Sequence, residues 1–118
     1  MTEFRDPFPI LAVDDVAEAA RFYADTLGFE QVYRFPPEGE PDFAFLKLEP
    51  RGIGLAKARA GEKEMTLSVY TDDVDAAAAA LREAGAAEVE PPADREWGER
   101  MATFRDRDGY LLQIFATL

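Results

Sequence analysis

The sequence predicts an α+β fold of two tandem β-α-β-β-β modules, which form a curled eight-stranded mixed sheet with a concave ligand face. The first observation is an internal repeat, in which Asp14-Asp15-Val16 recurs as Asp72-Asp73-Val74 at an offset of 58. The second is that later landmarks also match, since Gly28 aligns with Gly85 at an offset of 57. The third is that both repeats show the same order of apolar runs and turn residues. Landmarks that match along the chain indicate two copies of one supersecondary unit.

The length limits the chain to one domain. A protein of 118 residues and 13.1 kDa buries roughly two thirds of the surface that its unfolded chain exposes. The repeat places module 1 at about residues 7–58 and module 2 at about residues 64–118 of this single domain. A hydrophobic content of 47% with 12% aromatic residues is typical of a folded chain rather than a disordered one.

The first module opens with a strand and a helix. The apolar run Phe8–Val13 predicts a strand, and the two aspartates after it are expected to begin a helix rather than to form a catalytic carboxylate pair. With Asp15 as the N-cap, Glu18 falls at the third helical position and gives a capping-box-like start. The helix is predicted over Ala17–Leu27 and ends at Gly28, the usual glycine position of a helix C-terminus.

Three strands complete each module. In module 1 they are predicted at Phe29–Phe35, Phe43–Leu48 and Ile53–Lys57, with a loop at Pro36–Pro41 and a turn at Pro50–Gly52. Module 2 repeats the order of module 1. Its predicted elements are strand Met65–Tyr70, helix Val74–Ala84, strand Ala87–Glu90, loop Pro91–Gly98, strand Arg100–Arg105, a turn at Arg107-Asp108-Gly109 and strand Tyr110–Ala116.

Alternation along the strands separates two faces of the sheet. One face is uniformly aliphatic and is predicted to pack on the helices: Leu11, Val13, Ile53, Leu55, Leu67, Val69, Leu112 and Ile114. The other face mixes aromatic, hydroxyl and amide side chains: Phe8, Ile10, Phe43, Phe45, Ala56, Thr66, Ser68, Tyr70, Gln113 and Phe115. Two helices cannot cover both faces of eight strands. The mixed face is therefore either a ligand-facing surface or the filled interior of a small barrel.

The charge and two absent residue types exclude several functions. With 24 Asp and Glu against 13 Lys and Arg, the net charge is −11, which argues against nucleic-acid or anionic-membrane partners. The chain has no Cys and no His. It therefore has no disulfide, no thiolate nucleophile, no imidazole base and no imidazole or sulfur metal ligand. No apolar run approaches the roughly 20 residues of a membrane span, and we expect a cytoplasmic protein.

Motifs in both halves resemble one known family. Val13–Val16, Phe22-Tyr23 and Leu27–Phe29 look like the first half of the vicinal-oxygen-chelate superfamily, the group of glyoxalases, bleomycin-resistance proteins and extradiol dioxygenases. Trp97–Ala102 and Arg105–Leu111 look like its C-terminal signature, with an arginine where the last turn usually has proline. The resemblance covers essentially the whole chain and implies the duplicated fold described above.

The resemblance also identifies where a metal would be held. Enzymes of the family bind a divalent ion through His and Glu on the first and last strands of each half, which correspond here to Phe8, Ala56, Thr66 and Gln113. None of these side chains is a carboxylate or an imidazole, the donors that such an ion needs to replace its water. The sequence therefore predicts neither a metal site nor a cofactor.

The resemblance then implies the metal-free branch, whose members bind antibiotics such as bleomycin and sequester them without chemistry as homodimers. We expect a resistance-type protein that binds an aromatic and, given its acidity, cationic small molecule. No catalytic residue is assigned. The predicted ligand-binding residues are Phe8, Phe43, Phe45, Thr66, Ser68, Tyr70, Trp97, Met101 and Gln113.

Several of these assignments have alternatives. Trp97 is either a ligand wall or a loop anchor, and Phe43 and Phe45 are equally a stacking platform, a dimer seam or core packing. The sequence places no carboxylate on the concave face, and only Lys47 and Arg105 are placed at its strand edges. A metal-independent lyase or isomerase is therefore the alternative function, and a structural module without a ligand is the third.

Overall fold

The computed structural model describes residues 3–59, 64–106 and 108–118. The predicted α+β class is confirmed, because eight strands in mixed parallel and antiparallel pairing accompany two helices. The chain divides into an N-terminal unit, Phe8–Met65, and a C-terminal unit formed by Thr66–Leu118 with the segment up to Pro7. The elements are β1 Phe4–Val13, α1 Val16–Leu27, β2 Glu30–Phe35, β3 Phe43–Leu48, β4 Arg51–Lys57, β5 Met65–Thr71, α2 Val74–Glu83, β6 Ala87–Arg95, β7 Glu99–Arg105 and β8 Leu111–Thr117.

The N-terminal unit orders its strands β2-β3-β4-β1. β1 pairs with β4 in parallel, with Ile10 opposite Gly54, and the other two pairings are antiparallel. The predicted aliphatic face packs against α1. Its core contains Val16, Ala20, Ala44, Leu46 and Leu55, with Leu11, Val13 and Ile53 packed against them.

The C-terminal unit repeats this arrangement as β5-β8-β7-β6. β5 and β8 are parallel, with Ser68 opposite Gln113, and the remaining pairs are antiparallel. The core under α2 contains Val74, Ala77, Ala78, Ala102, Phe104 and Ile114, with Val69 beside them. Leu67 shares the face of Val69 as predicted, but it is 51% exposed and is not packed into this core.

Both helices begin as predicted. Asp15 and Asp73 are N-caps with extended backbone, and each carboxylate accepts a backbone N–H three residues on, from Glu18 and Ala76 at 3.0 Å. Such caps satisfy an otherwise unpaired helix donor. Gly28 ends α1 in the left-handed region at φ 82°, where a side chain would be disfavoured.

The largest boundary differences from the prediction are in β1 and β6. β1 begins at Phe4 rather than Phe8. The predicted loop Pro91–Gly98 is instead the second part of β6, followed by a turn of only three residues before β7. Proline is tolerated here because β6 is an outer strand and irregular, with register shifts between Glu88 and Ala93. The predicted turn residue Arg107 lies outside the described residues.

Candidate functional site

The N-terminal unit presents aromatic rings on the sheet face that points away from α1. The Phe8 and Phe45 ring centroids lie 5.0 Å apart in an edge-to-face arrangement. Those of Tyr33 and Phe43 lie 6.2 Å apart. The edge-to-face contact between Phe8 and Phe45 is favourable beyond the area that the two rings bury, whereas the rings of Tyr33 and Phe43 are tilted. Phe8, Phe43 and Phe45 are half-buried, so the structure brings these three predicted residues together on one face.

Two glycines of β4 make room for these rings. A Cβ on Gly52 would lie 2.4 Å from Cζ of Phe45, and one on Gly54 would lie 3.0 Å from Cζ of Phe43. The first distance is shorter than any real carbon–carbon contact allows, so the Phe45 ring occupies the space that a side chain would take. Glycine is therefore required in β4 for the rings to lie close against the strand.

The C-terminal unit presents a layered face on the side away from α2. One row crosses three neighbouring strands as Ser68, Gln113 and Thr103. The next row consists of Tyr70, Phe115 and Met101, and the Tyr70 and Phe115 ring centroids lie 5.5 Å apart. The face thus has a polar row beside an aromatic and thioether row.

A carboxylate lies at the end of this face. Glu99, the first residue of β7, accepts a hydrogen bond from the Tyr70 hydroxyl at 2.6 Å and another from Trp97 Nε1 at 2.9 Å. In the part of the chain that the structure describes, no ion pair forms at Glu99. Its cross-strand neighbour Arg95 pairs with Glu90 instead, at 2.9 Å. Two neutral donors therefore hold this carboxylate without cancelling its charge.

Sequence reasoning missed Glu99, and the prediction that no carboxylate lies on this face is wrong. A signal was available, because Glu99 is two residues before Met101 and strand residues at that spacing share a face. By the same spacing, Lys47 shares a face with Phe45 and Arg105 with Thr103, and both cations already have partners. Lys47 pairs with Glu49 at 3.7 Å, and Arg105 donates to the carbonyl of Gly109 at 2.7 Å.

The predicted ligand-binding residues differ in exposure. Trp97 is 39% exposed and stands on the short turn between β6 and β7. Tyr70 and Gln113 are half-buried, as are the three phenylalanines of the N-terminal unit. Thr66, Ser68 and Met101 are buried beneath the surface of the C-terminal unit. Trp97 is thus exposed at the surface, whereas the buried residues form the layer below.

Arg100 fixes the strand that carries Glu99. Its guanidinium makes two hydrogen bonds to Asp75 at the start of α2, at 2.9 and 3.0 Å, and one to Asp94 of β6 at 2.9 Å. The hydrogen bonds from Arg100 lower the pKa of Asp75 below its usual value of 3.8. The same two carboxylates raise the pKa of Arg100. This bidentate geometry favours one position of β7 relative to α2 and β6.

The side chains at the expected metal positions do not fit a divalent ion. They supply a phenyl ring at Phe8, a buried hydroxyl at Thr66 and an amide at Gln113. The strand pairing also corrects the fourth position. Ile10 pairs with Gly54 and its repeat partner Ser68 pairs with Gln113, so Gln113 corresponds to Gly54 and not to Ala56. Glycine supplies no ligand either, and one amide with one hydroxyl cannot replace the water of such an ion.

Fold and motifs together define the family. The family model of the Glyoxalase/Bleomycin resistance protein/Dioxygenase superfamily matches residues 7–114, and the chain belongs to that superfamily. Over 121 residues it is 31% identical to the uncharacterized protein YraH of Bacillus subtilis (strain 168), across 92% of this chain and 94% of that protein.

Solved structures show the same fold. A superfamily member from Vibrio splendidus 12B01 aligns with a TM-score of 0.68 at 20% identity, covering 98% of this chain and 100% of that one. The Mn(II)-bound glyoxalase from Novosphingobium aromaticivorans aligns with a TM-score of 0.72 at 22% identity, covering 98% of this chain and 40% of the glyoxalase. At these identities the likeness concerns the fold alone.

Neither α1 nor α2 is long and apolar enough to cross a membrane, and the described residues contain no other helix.

Proposed function

We propose that this protein binds an aromatic, cationic small molecule, such as an antibiotic or another natural product, and protects its host by sequestering it. The observation that carries the proposal is Glu99, whose carboxylate is held by Tyr70 and Trp97 and forms no ion pair among the described residues. A carboxylate held in this way attracts a cation more strongly than a fully solvated one does. The aromatic side chains beside it favour a flat ligand.

Overall charge supports the same ligand class. The net charge of −11 raises the local concentration of a cation around the protein and speeds its association. Trp97 is 39% exposed and its indole N–H is already committed to Glu99. The face of its ring is the part of this residue that suits stacking on a heterocycle or covering a cation.

Sequestration rather than turnover is supported by the donors at the family's metal positions, which lack any carboxylate or imidazole. The proposal includes a homodimer in the cytoplasm, as the resemblance to the metal-free branch implies. Within the superfamily, binding without chemistry requires only a complementary surface.

Trp97 fluorescence tests the proposal, because this is the single tryptophan of the chain. Bleomycin and proflavine are titrated at low salt, with calorimetry as a second measurement. We expect saturable binding at one equivalent per subunit, weakened as salt rises. Glu99→Gln should weaken binding about tenfold, equivalent to about 1.4 kcal/mol.

Glu96→Gln is the matched control for this variant. It removes the same charge from the adjacent turn, where Glu96 is exposed, and should leave the affinity nearly unchanged. Equal effects of the two variants would show that only net charge matters and that Glu99 is not part of the site. Absence of saturable binding by both probes would refute the proposed ligand class.

A metal-independent lyase or isomerase is the second candidate, and the Tyr70–Glu99 contact favours it. A phenol 2.6 Å from a carboxylate can accept a proton from a substrate while its own proton moves to that carboxylate, so the pair can act as a general base. Mass spectrometry of each compound after prolonged incubation separates the two functions. Product beyond one equivalent per subunit establishes catalysis, whereas quantitative recovery of the unchanged compound supports sequestration.

A further inference from the structure

Two buried hydroxyls flank Gln113 in the polar row of the C-terminal unit. Ser68 is 0% exposed and Thr103 is 3% exposed. They pair with Gln113 from opposite sides, on β5 and β7. Neither hydroxyl has a hydrogen-bond partner among the residues that the structure describes. Buried hydroxyls are normally paired, because leaving one unpaired costs its full desolvation free energy.

A single ligand group from outside the chain could form hydrogen bonds with both of these hydroxyls. Neighbouring strands are about 4.8 Å apart, so Ser68 and Thr103 are too distant to bond each other across Gln113. A planar group placed over Gln113 can reach towards both. Gln113 is half-buried and therefore forms the exposed entrance to the two hydroxyls.

The surroundings of the row determine the charge of that partner. The row continues on β6 at Glu90, whose carboxylate pairs with Arg95 at 2.9 Å, so the two charges at its outer end compensate each other. Among the described residues of this row, neither an anion nor a cation would find an uncompensated charge of opposite sign. Hydroxyl and amide side chains both donate and accept hydrogen bonds. This combination suits a neutral group that does the same.

We propose that Ser68, Thr103 and Gln113 form a subsite for a neutral planar amide group of the ligand. The inference rests on the proposed binding function and adds to it the chemistry of a second part of the ligand. The adjacent row contains Tyr70 and Phe115, whose rings place apolar surface next to the polar group. The subsite therefore suits a ligand whose amide group is attached to a flat apolar ring.

Three probes that share one phenyl ring test the charge preference. Benzamide, benzylamine and benzoate share one ring and carry a neutral, a cationic and an anionic substituent. Each is titrated into isotope-labelled protein while the amide resonances of residues 68, 103 and 113 are followed by NMR. We expect saturable shifts with benzamide at these residues, and none with benzoate. Equal or stronger shifts with benzoate would overturn the inference.

Substitutions of Ser68 and Thr103 test whether their hydroxyls contact benzamide. Ser68→Ala and Thr103→Val should each weaken benzamide binding about fivefold, since each removes one hydrogen bond while keeping the shape. Thr71→Val is the matched control. Thr71 is also fully buried, and its hydroxyl has no partner in the described part of the chain, but it follows the opposite alternation on β5. It should leave benzamide affinity unchanged.

Three other outcomes of these probe and variant experiments separate the proposed subsite from the proposed cation site. If no probe shifts these residues, and Ser68→Ala and Thr103→Val destabilise the free protein far more than Thr71→Val, then the hydroxyls hold structural water and the subsite is refuted. If benzylamine shifts only residues around Glu99 and benzamide binds nowhere, the proposed cation site survives and this inference fails. If benzamide binds as expected while every cation fails, the inference stands and the cationic part of the proposed function falls.

Discussion

Replacing Tyr70 with phenylalanine removes one hydroxyl and leaves the ring that packs against Phe115. The lost bond is the 2.6 Å contact from the Tyr70 hydroxyl to Glu99, a length typical of a hydroxyl donating to an ionised carboxylate. Glu99 keeps its second donor, Trp97 Nε1 at 2.9 Å. The substitution therefore tests one bond of the candidate site without dismantling the other.

The magnitude follows from the kind of bond. A hydrogen bond to a charged group contributes about 1.5–3 kcal/mol, and the lower end applies because Glu99 is only half-buried and retains Trp97. We expect Tyr70→Phe to lower the free energy of unfolding by about 1.5 kcal/mol. With a urea slope of about 1.5 kcal/mol per molar, the unfolding midpoint falls by about 1 M.

Urea unfolding followed by circular dichroism measures this effect. Tyr110→Phe is the control, since Tyr110 is 70% exposed and should change stability by less than about 0.5 kcal/mol. Combining Tyr70→Phe with Glu99→Gln closes a double-mutant cycle, for which we expect a coupling free energy of about 1 kcal/mol. Additivity of the two substitutions within about 0.3 kcal/mol would refute the bond and the site built on it.

Three further predictions concern stability and metal. Arg100 lowers the pKa of Asp75 below 3.8. The contact between the two side chains therefore stabilises the fold fully above pH 3.8, and this stabilisation is lost as the pH falls through the pKa of Asp75 in the folded protein. The stability gap between wild type and Arg100→Met should thus stay constant from neutral pH downwards and narrow below pH 3.8; a gap that widens in acid would contradict it. Phe104→Ala should cost about 3–5 kcal/mol because Phe104 is fully buried, whereas Phe22→Ala at a 55% exposed ring should cost under about 1 kcal/mol; similar midpoints in urea would show that the assigned core is wrong. Manganese chloride should produce no saturable rise in the melting temperature, and a stoichiometric rise would show that other side chains bind the ion.

Much of the fold could be predicted because its signals are local. An aspartate before a helix needs only the next three residues to act as a cap, as Asp15 and Asp73 do. The extent of β6 could not be predicted in this way. Pro91 and Pro92 indicate a loop in most sequences, and they are accommodated in a strand here because β6 is an outer, irregular strand.

The candidate site was predictable only in part, for a related reason. Period-two alternation placed Tyr70, Ser68 and Gln113 on one face, and the strand pairing agrees. The same alternation places Glu99 on this face only if β7 begins at Glu99, one residue before the predicted start. The correspondence between Gln113 and a residue of β4 could not be predicted either, since an offset along the sequence does not establish the same strand register in both units.

By itself, the sequence determined the α+β class, the two helix starts and the absence of any histidine or cysteine. These features depend on residue type and on neighbours within one or two turns of chain. Only the tertiary structure decided that Glu99 meets a tyrosine 29 residues away, and that Ser68 and Thr103 are buried with no hydrogen-bond partner among the described residues. Contacts between strands depend on the register of strand pairing, and burial depends on which residues pack above a side chain. Neither can be derived from neighbouring residues in the sequence.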